Sequence, residues 1–134
     1  MSADSGSREI VEGEREDLWS MPTILDIEII HVYYNNPVPY FFKYKINEMQ
    51  EAVEMVVRTS KKFPVRALSP ALYVGDFPVT EYGYESENLY RFVIPGPDIE
   101  KLKIGESISI GWLGEKTKKM MTNFHFRIQK DEER

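Results

Sequence analysis

The sequence predicts an α+β domain: six to seven mostly antiparallel strands in a curled sheet, half-barrel or sandwich, with one amphipathic helix packed on it. Three observations lead there. Short runs of alternating apolar and polar residues recur along the chain, separated by turns rich in Gly, Pro and Asn, as half-buried strands require. A single stretch, Asn47 to Ser60, carries apolar residues at helical spacing. Strand-like runs lie on both sides of it, which favours α+β over alternating α/β. With 134 residues, 42% of them hydrophobic, the chain is long enough for one domain with a core of its own.

Residues 1–21 read as a disordered acidic tail, because they offer little apolar surface to bury. They also contain one exception, Trp19, an aromatic of the kind that docks a polar tail onto a domain. Met21-Pro22 marks the edge of a domain expected over residues 22–130, with 131–134 as a polar end. Thr23 to Tyr34 is the first strand. Its apolar phase moves from Leu25, Ile27 and Ile29 to Ile30, Val32 and Tyr34, which predicts a bulge near Ile29-Ile30. The turn residues of Asn35 to Pro39 lead to a second strand, Tyr40 to Ile46. A hairpin between the two would set Val32 opposite Phe42 on the core face and Tyr33 beside Phe41 on the other.

The predicted helix follows. Met49, Ala52, Val53, Val56 and Val57 form an apolar stripe. Asn47 stands at the N-cap with Gln50 at N3, acids precede bases, and Pro64 ends the element. Further strands are expected at 65–68, continuing through 71–74, then at 79–84 and 89–94, with one helical turn at 98–102. Ile108 to Trp112 and Met120 to Ile128 form a closing hairpin in which Trp112 faces Met120.

The absence of cysteine excludes disulfides, thiolate metal sites and cysteine nucleophiles. No apolar run approaches the roughly 20 residues of a membrane helix, so no membrane partner is expected and a cytoplasmic location is the default. The net charge of −5 is concentrated at the start: residues 1–20 hold six acids and two bases. The rest is almost neutral and lacks the basic footprint of a duplex binder. His31 and His125 show no metal-ligand spacing, and no phosphate-loop, dinucleotide or nucleophile-elbow motif is present. No catalytic residue, metal ligand or cofactor is expected.

What remains is the outer face of the first hairpin: His31, Tyr33, Phe41, Lys43 and Lys45, aromatics interleaved with cations. The leading expectation is a non-enzymatic binding or assembly module that meets a protein partner or a second copy of itself there. The alternatives are single-stranded nucleic acid stacked on the same rings, and a small-ligand pocket or enzyme built around tyrosines and histidines.

Overall fold

The computed structural model describes residues 21–35, 51–65, 69–114 and 119–134. Among these the strands are β1 (Ile24–Tyr33), β2 (Glu51–Thr59), β3 (Pro70–Val74), β4 (Phe77–Val79), β5 (Glu81–Ser86), β6 (Leu89–Pro95), β7 (Ser107–Trp112), β8 (Met120–His125) and β9 (Lys130–Glu133). One four-residue helix, α1 (Gly96–Ile99), follows β6. The strands form two sheets, ordered β5-β6-β2-β1-β9 and β4-β3-β7-β8. All pairings are antiparallel except β1 with β9. The sheets are not closed into a barrel. Their facing sides share one core, in which Ile29, Met55, Val57 and Phe92 of the first sheet meet Leu72, Val74, Ile108 and Ile110 of the second.

Over its described part the predicted helix does not form. Glu51 to Thr59 is β2, the middle strand of the larger sheet. The same residues satisfy two periods at once. At the helical period Ala52, Val53, Val56 and Val57 cluster, and Glu54 and Met55 fall elsewhere on the circumference. At the strand period Val53, Met55 and Val57 point to the core, each fully buried, and Ala52, Glu54 and Val56 point the other way. Three valines and a threonine favour the strand, since β-branched side chains pack well on a pleated surface. On a helix Glu54 would fall off the apolar stripe, on the solvated side. In the strand it is fully buried, and the neighbouring strands supply its partners. Arg91 of β6 and Arg134, just past β9, both donate to its Oε1, Arg134 at 2.6 Å. The Tyr34 hydroxyl donates to Oε2 at 2.7 Å. Arg91 also reaches Glu85 at 3.2 Å, and Arg134 reaches Glu132 at 2.8 Å. Desolvation works against both guanidinium charges, but these hydrogen bonds and the Glu54 charge outweigh it and hold both pKa values above the ordinary arginine range.

β1 carries no bulge at Ile29-Ile30. Its irregularity lies between Ile24 and Asp26, where Leu25 is the extra residue and is exposed. The apolar phase of the sequence shifts because the strand is buried on both sides: Ile27 and Ile29 on the core face, Ile30 and Val32 on the other. Residues 40–46 lie outside the described residues. Over Ile30–Tyr33, β1 is flanked by β2 on one edge and β9 on the other, so the expected first-hairpin register does not apply there. Residues 131–134, expected as a polar end beyond the domain, belong to the sheet: β9 runs parallel to β1, pairing Lys130 with Ile30 and Glu132 with Val32. The expected strand at 79–84 is two strands in different sheets, β4 and β5, parted at Thr80. The β3–β4 turn at Gly75-Asp76 uses the positive φ of Gly75, as a two-residue hairpin requires. The β7–β8 hairpin forms with Ile110, not Trp112, opposite Met120, because Trp112 lies beyond that level and faces Pro70 of β3.

The Glu54 network generates two predictions. Glu54→Ala removes the carboxylate and leaves two guanidinium groups together in a desolvated site. Breaking such a pair costs about 3–5 kcal/mol, so the denaturation midpoint should fall steeply, with Glu54→Gln recovering part of the loss. An unchanged midpoint for Glu54→Ala would place this side chain in water, as on a helix's outer face. The second prediction concerns high pH. Burial first, then the adjoining Glu54 carboxylate, raise the Tyr34 pKa well above its usual value. A raised folded-state pKa contributes stability that is complete below about pH 10 and lost as pH rises further, because only the unfolded chain then releases the proton. Tyr73 and Tyr82 are raised as well, by burial, so the alkaline loss has several sources. Tyr34→Phe should flatten the fall of stability between about pH 10 and 12 by at most one proton, measured by denaturant titration at each pH.

Candidate functional site

Of the residues expected to form the binding face, Phe41, Lys43 and Lys45 lie outside the described residues. His31 and Tyr33 sit at the end of β1, on the face continuous with the core. The His31 ring is held between two strands: Nε2 is 2.6 Å from Glu51 Oε2 on β2, and Nδ1 is 3.3 Å from Asp131 Oδ1 on β9. A neutral imidazole donates to only one of these carboxylates. The half-exposed Tyr33 ring lies 4.4 Å from the His31 ring, tilted by 52°. Tyr33 has Glu51 and Glu133 as its register partners. Charge around the described part of this face is therefore acidic, which is unfavourable for phosphate. His125 ends β8, opposite Ser107 and exposed. Among the described residues no group of three or more His, Asp or Glu is placed to hold a metal ion.

A second aromatic set lies at the other edge of the larger sheet. In the β5–β6 hairpin Tyr82 pairs with Phe92 and Tyr84 with Tyr90, so all four rings stand on one face of the sheet. The turn between the strands places Asn88 at φ 58, which Asn tolerates better than most side chains. Tyr82 stacks on Phe92 with centroids 5.0 Å apart, and Tyr84 meets Tyr90 edge-on at 5.4 Å. Beyond β2 the chain turns across this ladder. Phe63 packs on Tyr90 at 4.5 Å, and its backbone N–H donates to the Tyr90 hydroxyl at 3.0 Å. Pro64 then prevents a regular continuation.

These pieces enclose an open groove of about 450 Å³, with Tyr82, Tyr84, Tyr90 and Phe63 on one side and Pro64, Val65, Ser69 and Pro70 completing it. It is the kind of concave, mostly apolar surface with few polar groups that ligands use. The Lys62 ammonium lies 5.4 Å from the centre of the Tyr84 ring, within cation–π range. Tyr84 is 52% exposed and Val65 91%. Burial, and then the neighbouring Tyr90, raise the Tyr82 pKa, so its hydroxyl remains a donor at neutral pH.

In the sequence Tyr82, Tyr84 and Tyr90 fall within the expected strands 79–84 and 89–94, and a pattern there marks them as a set. Tyr-x-Tyr puts two rings on one strand face, and a turn at Glu87-Asn88 brings Tyr90 opposite Tyr84. Phe63 had no such mark, because it reaches the ladder only through the path of the chain after β2. Among the described residues no helix is long and apolar enough to cross a membrane. Comparison with protein-family models, with curated proteins and with solved structures returned no match.

Proposed function

We propose that the protein is a non-enzymatic binding module that holds an extended segment of a protein partner in the aromatic groove. The observation that carries this reading is the ring ladder Tyr82-Tyr84-Tyr90 with Phe63, left open along one side and bordered by a lysine. Tyrosine supplies large contact area at low entropy cost, with a hydroxyl at its tip for peptide carbonyls. A bulky apolar or prolyl side chain fits between rings set at steep angles to one another, and an acidic neighbour would meet Lys62. Peptide recognition in aromatic grooves follows this pattern.

Charge favours protein over single-stranded nucleic acid. Nucleic acid binders track the backbone with a positively charged groove, whereas Lys62 is the one cation among the described residues that line this one. Pairing through the β9, β4 and β8 edges is less favoured. β9 presents Lys, Asp and two Glu, β4 is three residues long and contains Pro78, and β8 is irregular between Met121 and His125. Charges, short length, proline and bulges are the devices that blunt an edge.

The test is a displayed library of short random peptides, selected on the wild-type chain and counter-selected on the Tyr82→Ala, Tyr84→Ala double variant. Selected peptides should carry an aromatic or prolyl anchor beside an acidic residue, and bind the double variant at least about tenfold more weakly, as loss of anchoring rings does. Peptides that bind both proteins equally, or an oligothymidylate that binds in a salt-dependent way where peptides do not, would overturn the reading.

A further inference from the structure

We propose that the acidic N-terminal segment is the groove's own intramolecular occupant, with Trp19 seated among Tyr82, Tyr84 and Tyr90. This inference rests on the reading of the groove as a peptide-binding surface. It starts from where the described chain begins. Met21 packs against the core. Two residues later Thr23 is tied to the end of β2: its N–H donates to Ser60 Oγ at 2.9 Å, and the Ser60 N–H donates to the Thr23 carbonyl at 2.9 Å. Thr23, four residues after Trp19, is therefore held beside Ser60. The groove begins there too, since Lys62 and Phe63 lie two and three residues further along, about 10 Å of chain at most. Trp19 precedes Thr23 by four residues, a reach of about 14 Å when extended. The tail needs no long loop to arrive.

Chemistry agrees with reach. The segment holds six acids and two bases. Lys62, exposed at the rim, makes no ion pair among the described residues and rests over Tyr84 instead. Glu14, Glu16 and Asp17 precede Leu18-Trp19, so the segment offers an aromatic anchor with acids just upstream, the ligand class inferred above. A tethered occupant also has a high effective concentration, in the millimolar range for a short linker. Weak contact is then enough to fill the site, and a partner must displace it.

The experiment uses the full chain grown with 5-fluorotryptophan. Its two ¹⁹F resonances belong to Trp19 and Trp112, and Trp19→Phe assigns them. The Trp19 resonance should lie away from that of a synthetic peptide of residues 9–20. It should move toward the peptide position in Tyr84→Ala, and partway in Lys62→Glu or at high salt. Lys62→Glu keeps the test secure, because an exposed rim residue leaves the fold intact. A selected library peptide should drive the Trp19 resonance to the free position. A Trp19 resonance at the free-peptide position in the wild type overturns the proposal, as does one that ignores both groove variants or depends on protein concentration. The two readings fail separately. Library peptides that bind while Trp19 is free leave the groove without its tail. A docked Trp19 with no peptide selected leaves an intramolecular contact without an outside partner.

Discussion

A carboxylate in the middle of a five-stranded sheet constrains most of what surrounds it. Glu54 sits on the central strand, fully buried, and a lone charge there would cost several kcal/mol. The cost is offset only if groups from both sides converge. Arg91 comes from β6, Tyr34 from the end of β1, and Arg134 from beyond β9. One residue thus ties the register of three strands to its own. The tie is directional in a way that apolar packing is not. Sliding β6 by one residue would take Arg91 to the opposite face and replace it with an apolar side chain. The short parallel strand β9 has four residues, three of them acidic, and little apolar surface to hold it. Its backbone pairing and the Arg134–Glu54 contact, together with Lys130 to Glu28 at 3.4 Å, keep it on the sheet.

The groove depends on the same strand from its other face. Along β6 the side chains alternate: Tyr90 and Phe92 toward the core and groove, Arg91 toward Glu54. Arg91 also holds Glu85, which is on β5 one residue beyond Tyr84. The charged side of the β5–β6 hairpin is therefore clamped to β2 while the aromatic side is left to form a surface. A surface built on paired strands is more precisely placed than one built on loops. That matters for ring ladders, where the attraction depends on centroid distance and angle.

Three strands were legible in the sequence, because alternation is a short-range pattern. Ile24 to Tyr33, Leu89 to Pro95 and Ser107 to Trp112 lie close to where the residues place them. The failure at β2 has a physical cause. A strand in the middle of a sheet buries both faces, so its apolar residues cease to alternate and come to match the helical period by coincidence. Glu54 fits a helix's polar side equally well, since the two arginines that meet it in the strand lie 37 and 80 residues further along the chain. The apparent phase change in β1 has the same origin. The groove was illegible for a related reason. Tyr82 and Tyr84 could be placed on one strand face, but that Phe63 and Pro64 would cross over them is a property of the path between the sheets, which no local pattern contains. Of the residues first singled out, His31 and Tyr33 do come together, but among carboxylates, so their shared phase in the sequence said nothing about the charge they would meet.

The division of labour along β5 and β6 gives the binding reading its physical sense. A protein that depended on the groove rings for its core could not leave them available to a ligand. Here the two demands fall on different rings of one face: Tyr90 and Phe92 are buried in the core, and Tyr84 stands half-exposed at its edge. Arg91 and Glu85 secure the hairpin on one side, and Phe92 anchors it in the core below. Tyr84 is left half-exposed, with its ring edge-on to Tyr90 and the Lys62 ammonium over it. Loss of the Tyr84 ring therefore removes contact area from the groove and little from the core, whereas loss of Glu54 does the reverse. That separation follows from the two-residue period of a strand, and it arises wherever a buried polar network and an aromatic ladder share adjacent positions.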